Sequence, residues 1–222
     1  MADDVSKLCS DFLREWYPGL KTAHARELVA AYFGYKSHAA LLSDKGNSLE
    51  FLEIAAVLIP TEGIVDERRE CLNGLIETLP RSDKLTDELT TFLQAEAVFE
   101  GEVWDCADIG EFLIEEYLPQ HLSPDLDFEL AKEIASTNAT FEDISYDWAD
   151  VQESQYGITV TVSGTYSGYH HSDEEFAGDQ IDFEVIVFLR FCAGRIAFEE
   201  PEIFVESAVN RDYLKEEAIL ST

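Results

Sequence analysis

Positive charge is what this chain is short of: 15 lysines and arginines face 46 aspartates and glutamates, a formal net charge of −31 over 222 residues. The shortage is uneven. Residues 1 to 45 carry six basic and six acidic side chains, which leaves nine bases against forty acids for residues 46 to 222. Such a balance speaks about partners and solubility rather than about fold, because surface charge sets the long-range field while buried apolar residues set the architecture. Cysteine is scarce too. Cys9, Cys71, Cys106 and Cys192 lie far apart with no Cys-x-x-Cys pair, which excludes a compact zinc site and a disulfide-stapled scaffold and points to reduced thiols in a cytoplasm. Long apolar runs are missing: none exceeds the length of Ile54 to Ile59, far too short for a bilayer, and Met1-Ala2-Asp3-Asp4 has no basic n-region, so neither export nor membrane insertion is expected. There is no Gly-x-Ser-x-Gly, phosphate loop or dinucleotide fingerprint, and no cysteine has a base beside it in sequence. Catalysis is unsupported, no cofactor is implied, and internal repeats and low-complexity tracts are absent.

What is present is enough for a core. Hydrophobic residues make up 46% and aromatics 12%, far above a disordered acidic tail, so the charge must be spread over the outside of a folded object. Leu8, Phe12, Leu13 and Trp16 recur at helical spacing before Pro18-Gly19, as do Ala25, Leu28, Val29 and Tyr32 before Gly34, and Ser37 to Leu42 offers a third short helix. Asn47-Ser48-Leu49-Glu50 reads as a capping sequence opening an apolar stretch to Ile59, a buried central helix ended by Pro60. A stripe of period 3.6 runs from Ile64 to Leu79, and others through Leu85 to Leu93 and Ile109 to Tyr117. Ser123-Pro124 opens a helix through Leu126, Leu130 and Ile134.

Near Asn138 the period changes to 2. Ile144, Tyr146 and Trp148 alternate with polar residues, as do Ile158, Val160 and Val162. Residues 181 to 191 are apolar on both faces and should form a central strand, followed by an Ala193-Gly194 turn, a strand at 195 to 198, another at 203 to 205 and a closing helix from Val209 to Leu220. The expectation is an α+β protein in three parts: a helix-turn-helix-like head at 1–45, an acidic helical region at 46–137, and an antiparallel sheet of about four strands with its closing helix at 138–222.

Within residues 8 to about 45, His24, Leu28, Val29, Ala30, the Gly34-Tyr35 turn, Leu41 and Leu42 carry a resemblance to the glyoxalase-related protein domain, a small helical module at the start of many bacterial and plasmid-borne proteins. In that family a short helix with a His and a Leu-Val-Ala core is followed by a Gly-aromatic turn and a second helix ending in Ala-Leu-Leu. The resemblance covers about a fifth of the chain, implies no glyoxalase catalysis and carries over no metal ligands. The outline also matches a helix-turn-helix, in which Lys21, Arg26 and Lys36, with Lys45, are candidates to meet phosphates; the plainer reading is ordinary packing of two short helices, with His24 and His38 as packing or capping residues.

Residues 83 to 129 hold fourteen acids against the single base Lys84. Asp108, Glu111 and Glu115 recur at spacings of three and four, opposite Ile109, Phe112 and Leu113, and with Asp105 and Glu116 make up the candidate partner-binding face. Like charges so placed weaken a helix slightly. The leading expectation is a non-enzymatic binding or regulatory protein of a plasmid or phage, engaging a basic, nucleic-acid-binding protein in the manner of an acidic anti-restriction or DNA-mimic protein. A solvated surface that only prevents aggregation is the plain alternative. Two further readings stand beside it: a transcriptional or plasmid-maintenance factor binding DNA through residues 20–45, and a metal-dependent enzyme using His170, His171 and Asp173, whose adjacent histidines would need a turn to face one ion.

Overall fold

The structure, a computed structural model, describes residues 2–137, 139–169 and 180–210. The chain divides into two compact units, one made of Met1–Ala107, Gln155–Gly157 and Leu189–Pro201, the other of Asp108–Ser154, Ile158–Phe188 and Glu202–Thr222.

In the first unit, α1 (Ala2–Trp16), α2 (Thr22–Tyr32) and α3 (His38–Ser43) form as the periodicity predicts, and the Ser37 hydroxyl caps α3 by accepting from the Ala40 N–H at 3.2 Å. The buried central helix is α2, in contact with α1, α3 and α4 (Glu62–Cys71), with Ala25 and Leu28 through Tyr32 all inside. Residues 49–59, expected to be that helix, form instead a 3-10 helix (Leu49–Ile54) and a two-residue strand, β1 (Val57–Leu58). Over so short a length periodicity does not separate a helix from a buried strand; Ile54 is left 68% exposed, while Val57 and Leu58 are buried. The stripe from Ile64 to Leu79 also stops early: α4 ends at Cys71, before the Asn73-Gly74 turn, and Leu79 is buried from non-helical chain. Helix α5 (Ser82–Ala95) matches its pattern, with Leu85, Leu89 and Leu93 buried. One apolar cluster unites Leu13, Leu28 and Leu41 with Leu52, Leu89, Phe99 and Ile196, so residues 1–45 have no core of their own.

Strand β2 (Glu102–Val103) lies parallel to β1, and β6 (Ala197–Phe198) pairs with β1 antiparallel. The Gly194 turn joins β6 to the end of β5 (Gln180–Ala193). In the second unit, β3 (Thr140–Glu153) pairs antiparallel with β4 (Gly157–Tyr169), β4 lies beside β5, and β7 (Glu202–Asn210) runs antiparallel to residues 180–188 of β5. Strand β5 is thus central, as its two apolar faces predict. Among the described residues the expected sheet of about four antiparallel strands is corrected to seven with one parallel pair, β1 and β2 coming from the region read as wholly helical. Trp148 falls out of the predicted alternation: a register shift between Tyr146 and Trp148 turns it outward to 53% exposure. Val209 and Asn210, expected to open a closing helix, end β7, and the rest of that helix lies outside the described residues.

The helical stretch of the second unit is broken more often than predicted. After α6 (Ile109–Phe112), residues Leu113–Tyr117 form a π-helical turn, closed by the Leu118 N–H on the Leu113 carbonyl, that leads into α7 (Leu118–His121). Pro119 supplies a reason, since it has no N–H for the carbonyl four residues back and its ring crowds that carbonyl in a regular helix. The wider turn also lets Leu113, Tyr117 and Leu118 all be buried. Beyond it, Ser123–Asp125 is a 3-10 turn, and the helix expected through Ile134 splits at Leu130 into α8 (Leu126–Glu129) and α9 (Ala131–Ile134). No helix among the described residues is long and apolar enough to cross a membrane.

With bases scarce, tyrosine hydroxyls serve as partners for carboxylates. Tyr17 donates to Glu88, Tyr35 to Asp44 at 2.9 Å, Tyr166 to Asp127 at 2.6 Å and Tyr169 to Glu142 at 3.0 Å. Burial first, and then the hydrogen bond and charge of Glu88, push the Tyr17 phenol up to about 12. Tyr35 and Tyr166 are raised for the same two reasons, through Asp44 and Asp127. A phenol whose folded value exceeds its unfolded value stabilises the fold fully below the unfolded value near 10, and that contribution is lost as pH rises through the folded value. Stability should therefore fall above about pH 10, with these tyrosines ionising, by ultraviolet absorbance, only as circular dichroism reports unfolding. Smooth ionisation of every tyrosine in a still-folded protein would contradict the assignment.

Candidate docking groove

Amphipathicity explains how α1 is built, but its apolar stripe is wider than one contact requires. Cys9 and Leu13 are inside, whereas Leu8, Phe12 and Trp16, spaced by four residues, form a second ridge along the same helix. That ridge borders α5, where Phe92 stands next to the buried Leu93. The Phe12 and Phe92 rings stack at 4.2 Å and 15°, Trp16 leans on Phe12 at 5.8 Å, and Trp16 remains 66% exposed. Together these side chains floor a groove of about 770 Å³.

Its rim is acidic. Asp11 and Glu15 line it from α1, and Asp87, Glu88 and Glu96 from α5 and its C-cap; Lys84 is the one base on the lining, 3.7 Å from Glu88. Glu88 is further held by the Tyr17 hydroxyl, and Arg14 reaches Asp11 at 3.5 Å. The Arg14–Asp11 pair is solvent-exposed and therefore weak, worth about 0.2–1 kcal/mol. An apolar floor with a carboxylate border suits a ligand that is itself apolar on one side and cationic at its edges.

The residues singled out from the sequence are placed as follows. Asp105 belongs to the first unit, and Asp108, Glu111, Glu115 and Glu116 to the second; all five are exposed. Asp108 is the N-cap of α6, its Oδ1 accepting from the Gly110 and Glu111 N–H groups at 2.8 and 3.1 Å, and Glu115 and Glu116 lie within the π-helical turn Leu113–Tyr117 that continues the same helical stretch. Gly110 is required there, since a Cβ would sit 2.9 Å from the Ala149 Cβ. Lys21, Arg26 and Lys36 are all exposed, at the N-cap of α2, within α2 and in the α2–α3 turn. His24 and His38 are half-buried, and the His38 N–H donates to Glu27, which is paired with Arg68 at 2.7 Å. His170, His171 and Asp173 lie outside the described residues; among the described ones no group of three or more histidines, cysteines or carboxylates is placed to hold a metal ion. None of the four cysteines is in a disulfide, and burial pushes the Cys9 thiol up to about 12 and the Cys192 thiol up to about 11, which keeps both protonated and unreactive.

The helical spacing of Leu8, Phe12, Leu13 and Trp16 predicts an amphipathic helix without showing that Leu8, Phe12 and Trp16 form a separate ridge. The available signal was the stripe's breadth, five apolar positions from Leu8 to Trp16 flanked by Asp11 and Glu15. Comparison with models of protein families, with curated proteins and with solved structures finds no match for this chain.

Proposed function

We propose that this protein is a non-enzymatic binding protein whose acidic exterior engages a basic, nucleic-acid-binding protein, in the manner of a DNA mimic of the anti-restriction kind carried by plasmids or phages. One observation carries the reading: no aspartate or glutamate among the described side chains is fully buried and most are exposed, so most of the carboxylates are offered to solvent. Some are left facing like charge. Glu184 of β5 and Glu206 of β7 stand directly opposite each other across an antiparallel pair, an arrangement that weakens a sheet and that a lysine at either position would relieve. The resemblance of residues 8–45 to a module of plasmid-borne proteins agrees with this setting.

Capture on the immobilised full-length protein at low salt should recover basic DNA-binding proteins that are released as ionic strength rises, because exposed charges are screened over about 10 Å at 0.1 M and about 3 Å at 1 M. The captured protein, once purified, should lose its grip on duplex DNA when this protein is added. Neutral partners retained at high salt, or DNA binding that is unaffected, would overturn the reading. A second reading, direct DNA contact through residues 20–45, is favoured by the exposure of Lys21, Arg26 and Lys36. It requires the protein alone to retard duplex DNA and Lys36→Ala to weaken that complex.

A further inference from the structure

We propose that the groove between α1 and α5 receives an amphipathic basic helix, its apolar stripe seated on Phe12, Trp16 and Phe92 and its flanking lysines or arginines meeting Asp11, Glu15, Asp87 and Glu96. The inference deepens the functional reading above and rests on it. Dimensions come first. Leu8 to Trp16 spans about 12 Å of α1 and Lys84 to Glu96 about 18 Å of α5, so the trough is two to three helical turns long and matches a helix laid along it. The floor supplies what such an interface needs at its centre, an aromatic anchor already packed on one side and open on the other: Trp16 rests on Phe12, which is stacked on Phe92.

Charge then selects the occupant. Five carboxylates against Lys84 would repel a second copy of the same groove, since each copy brings the same acidic border to the contact. They would equally repel an anionic lipid surface. A helix bearing lysine or arginine beside an apolar ridge satisfies both the floor and the rim. Its cations would also lower the mutual repulsion of Asp11, Glu15 and Asp87, which tightens the complex at low ionic strength.

The probe is a designed leucine–lysine amphipathic peptide of about three turns, with polylysine as the charge-only control and a leucine–glutamine peptide of the same pattern as the apolar-only control, each titrated into the full chain. Binding of the leucine–lysine peptide is expected to weaken about tenfold in Trp16→Ala, and about as much in the double variant Glu15→Lys, Asp87→Lys, and to fall with salt. Both variants alter exposed side chains, and circular dichroism verifies that they fold. Equal affinity for polylysine with no effect of Trp16→Ala would overturn the groove while leaving the acidic-surface reading intact. Failure of both basic probes to bind at any salt would overturn both. Equal binding of the leucine–glutamine peptide, or self-association abolished by Trp16→Ala, would show that the groove takes an uncharged helix or a second copy, and would refute the proposal.

Discussion

Tyr32→Ala is expected to destabilise the protein by about 4 kcal/mol, and Tyr32→Phe by about 1 kcal/mol. Tyr32 is fully buried at the end of α2, with Phe33 edge-on to its ring at 5.0 Å. Its hydroxyl lies 2.9 Å from that of Thr90 on α5; Thr90 donates to the Thr86 carbonyl, which leaves Tyr32 as the donor. The alanine variant loses the ring and opens a cavity inside the shared cluster, whereas the phenylalanine variant leaves only the Thr90 oxygen without its partner. Because that bond ties residues 1–45 to α5, both variants should shift one cooperative transition in denaturant that is sensed by probes on α1 and on α5 alike. A head that melted separately, with α5 unaffected, would show that the two stretches do not share a core.

Gly34→Ala should cost about 2–4 kcal/mol. Gly34 has φ +84, where a side chain is strained, and a Cβ there would lie 2.8 Å from the Arg195 Cβ. The neighbour is not the free end of a flexible chain. Arg195 is fixed by its N–H on the Phe33 carbonyl at 2.9 Å, the adjoining Gly194 N–H bonds the Asn47 carbonyl at 2.9 Å, and the Arg195 guanidinium lies 5.9 Å from both the Tyr35 and Phe191 rings. Gly63→Ala in α4, where a Cβ would meet nothing within 4 Å, is the matched control and should be neutral or stabilising by up to about 1 kcal/mol. Equal effects of the two substitutions in chemical denaturation would refute the docking role of the Gly34 turn. That role bears on function as well: the turn resembling a helix-turn-helix is the seat of the β5–β6 turn.

Helices α2 and α5 could be read directly because Ala25, Leu28, Val29 and Tyr32 recur at helical spacing before the Gly34 stop, and Leu85, Leu89 and Leu93 bury one face of α5. Residues 49–59 could not, since over so short a stretch the apolar positions do not separate a helix from a 3-10 turn and a strand. The π turn at Leu113–Tyr117 was not legible for a different reason, since it follows from Pro119 together with the burial of Leu113, Tyr117 and Leu118. Trp148 was misplaced by a register shift that depends on β4, which no local pattern in β3 records. The groove was hidden because α1 shows only that Leu8, Cys9, Phe12, Leu13 and Trp16 share a side, and the sequence does not say how far a neighbouring helix covers it.

By itself the sequence determined the acidic composition and the place of the long strands after the main helices, because net charge is a matter of composition and periodicity records whether a side chain meets apolar surroundings. Tertiary structure alone decided what each apolar face meets: Tyr32 on Thr90, Gly34 against Arg195, and Phe12 and Trp16 beside Phe92 with one side left open. Those pairings join residues from 58 to more than 150 positions apart, and contacts of such separation are chosen by the complementarity of whole surfaces, which neighbouring residues in the chain do not encode.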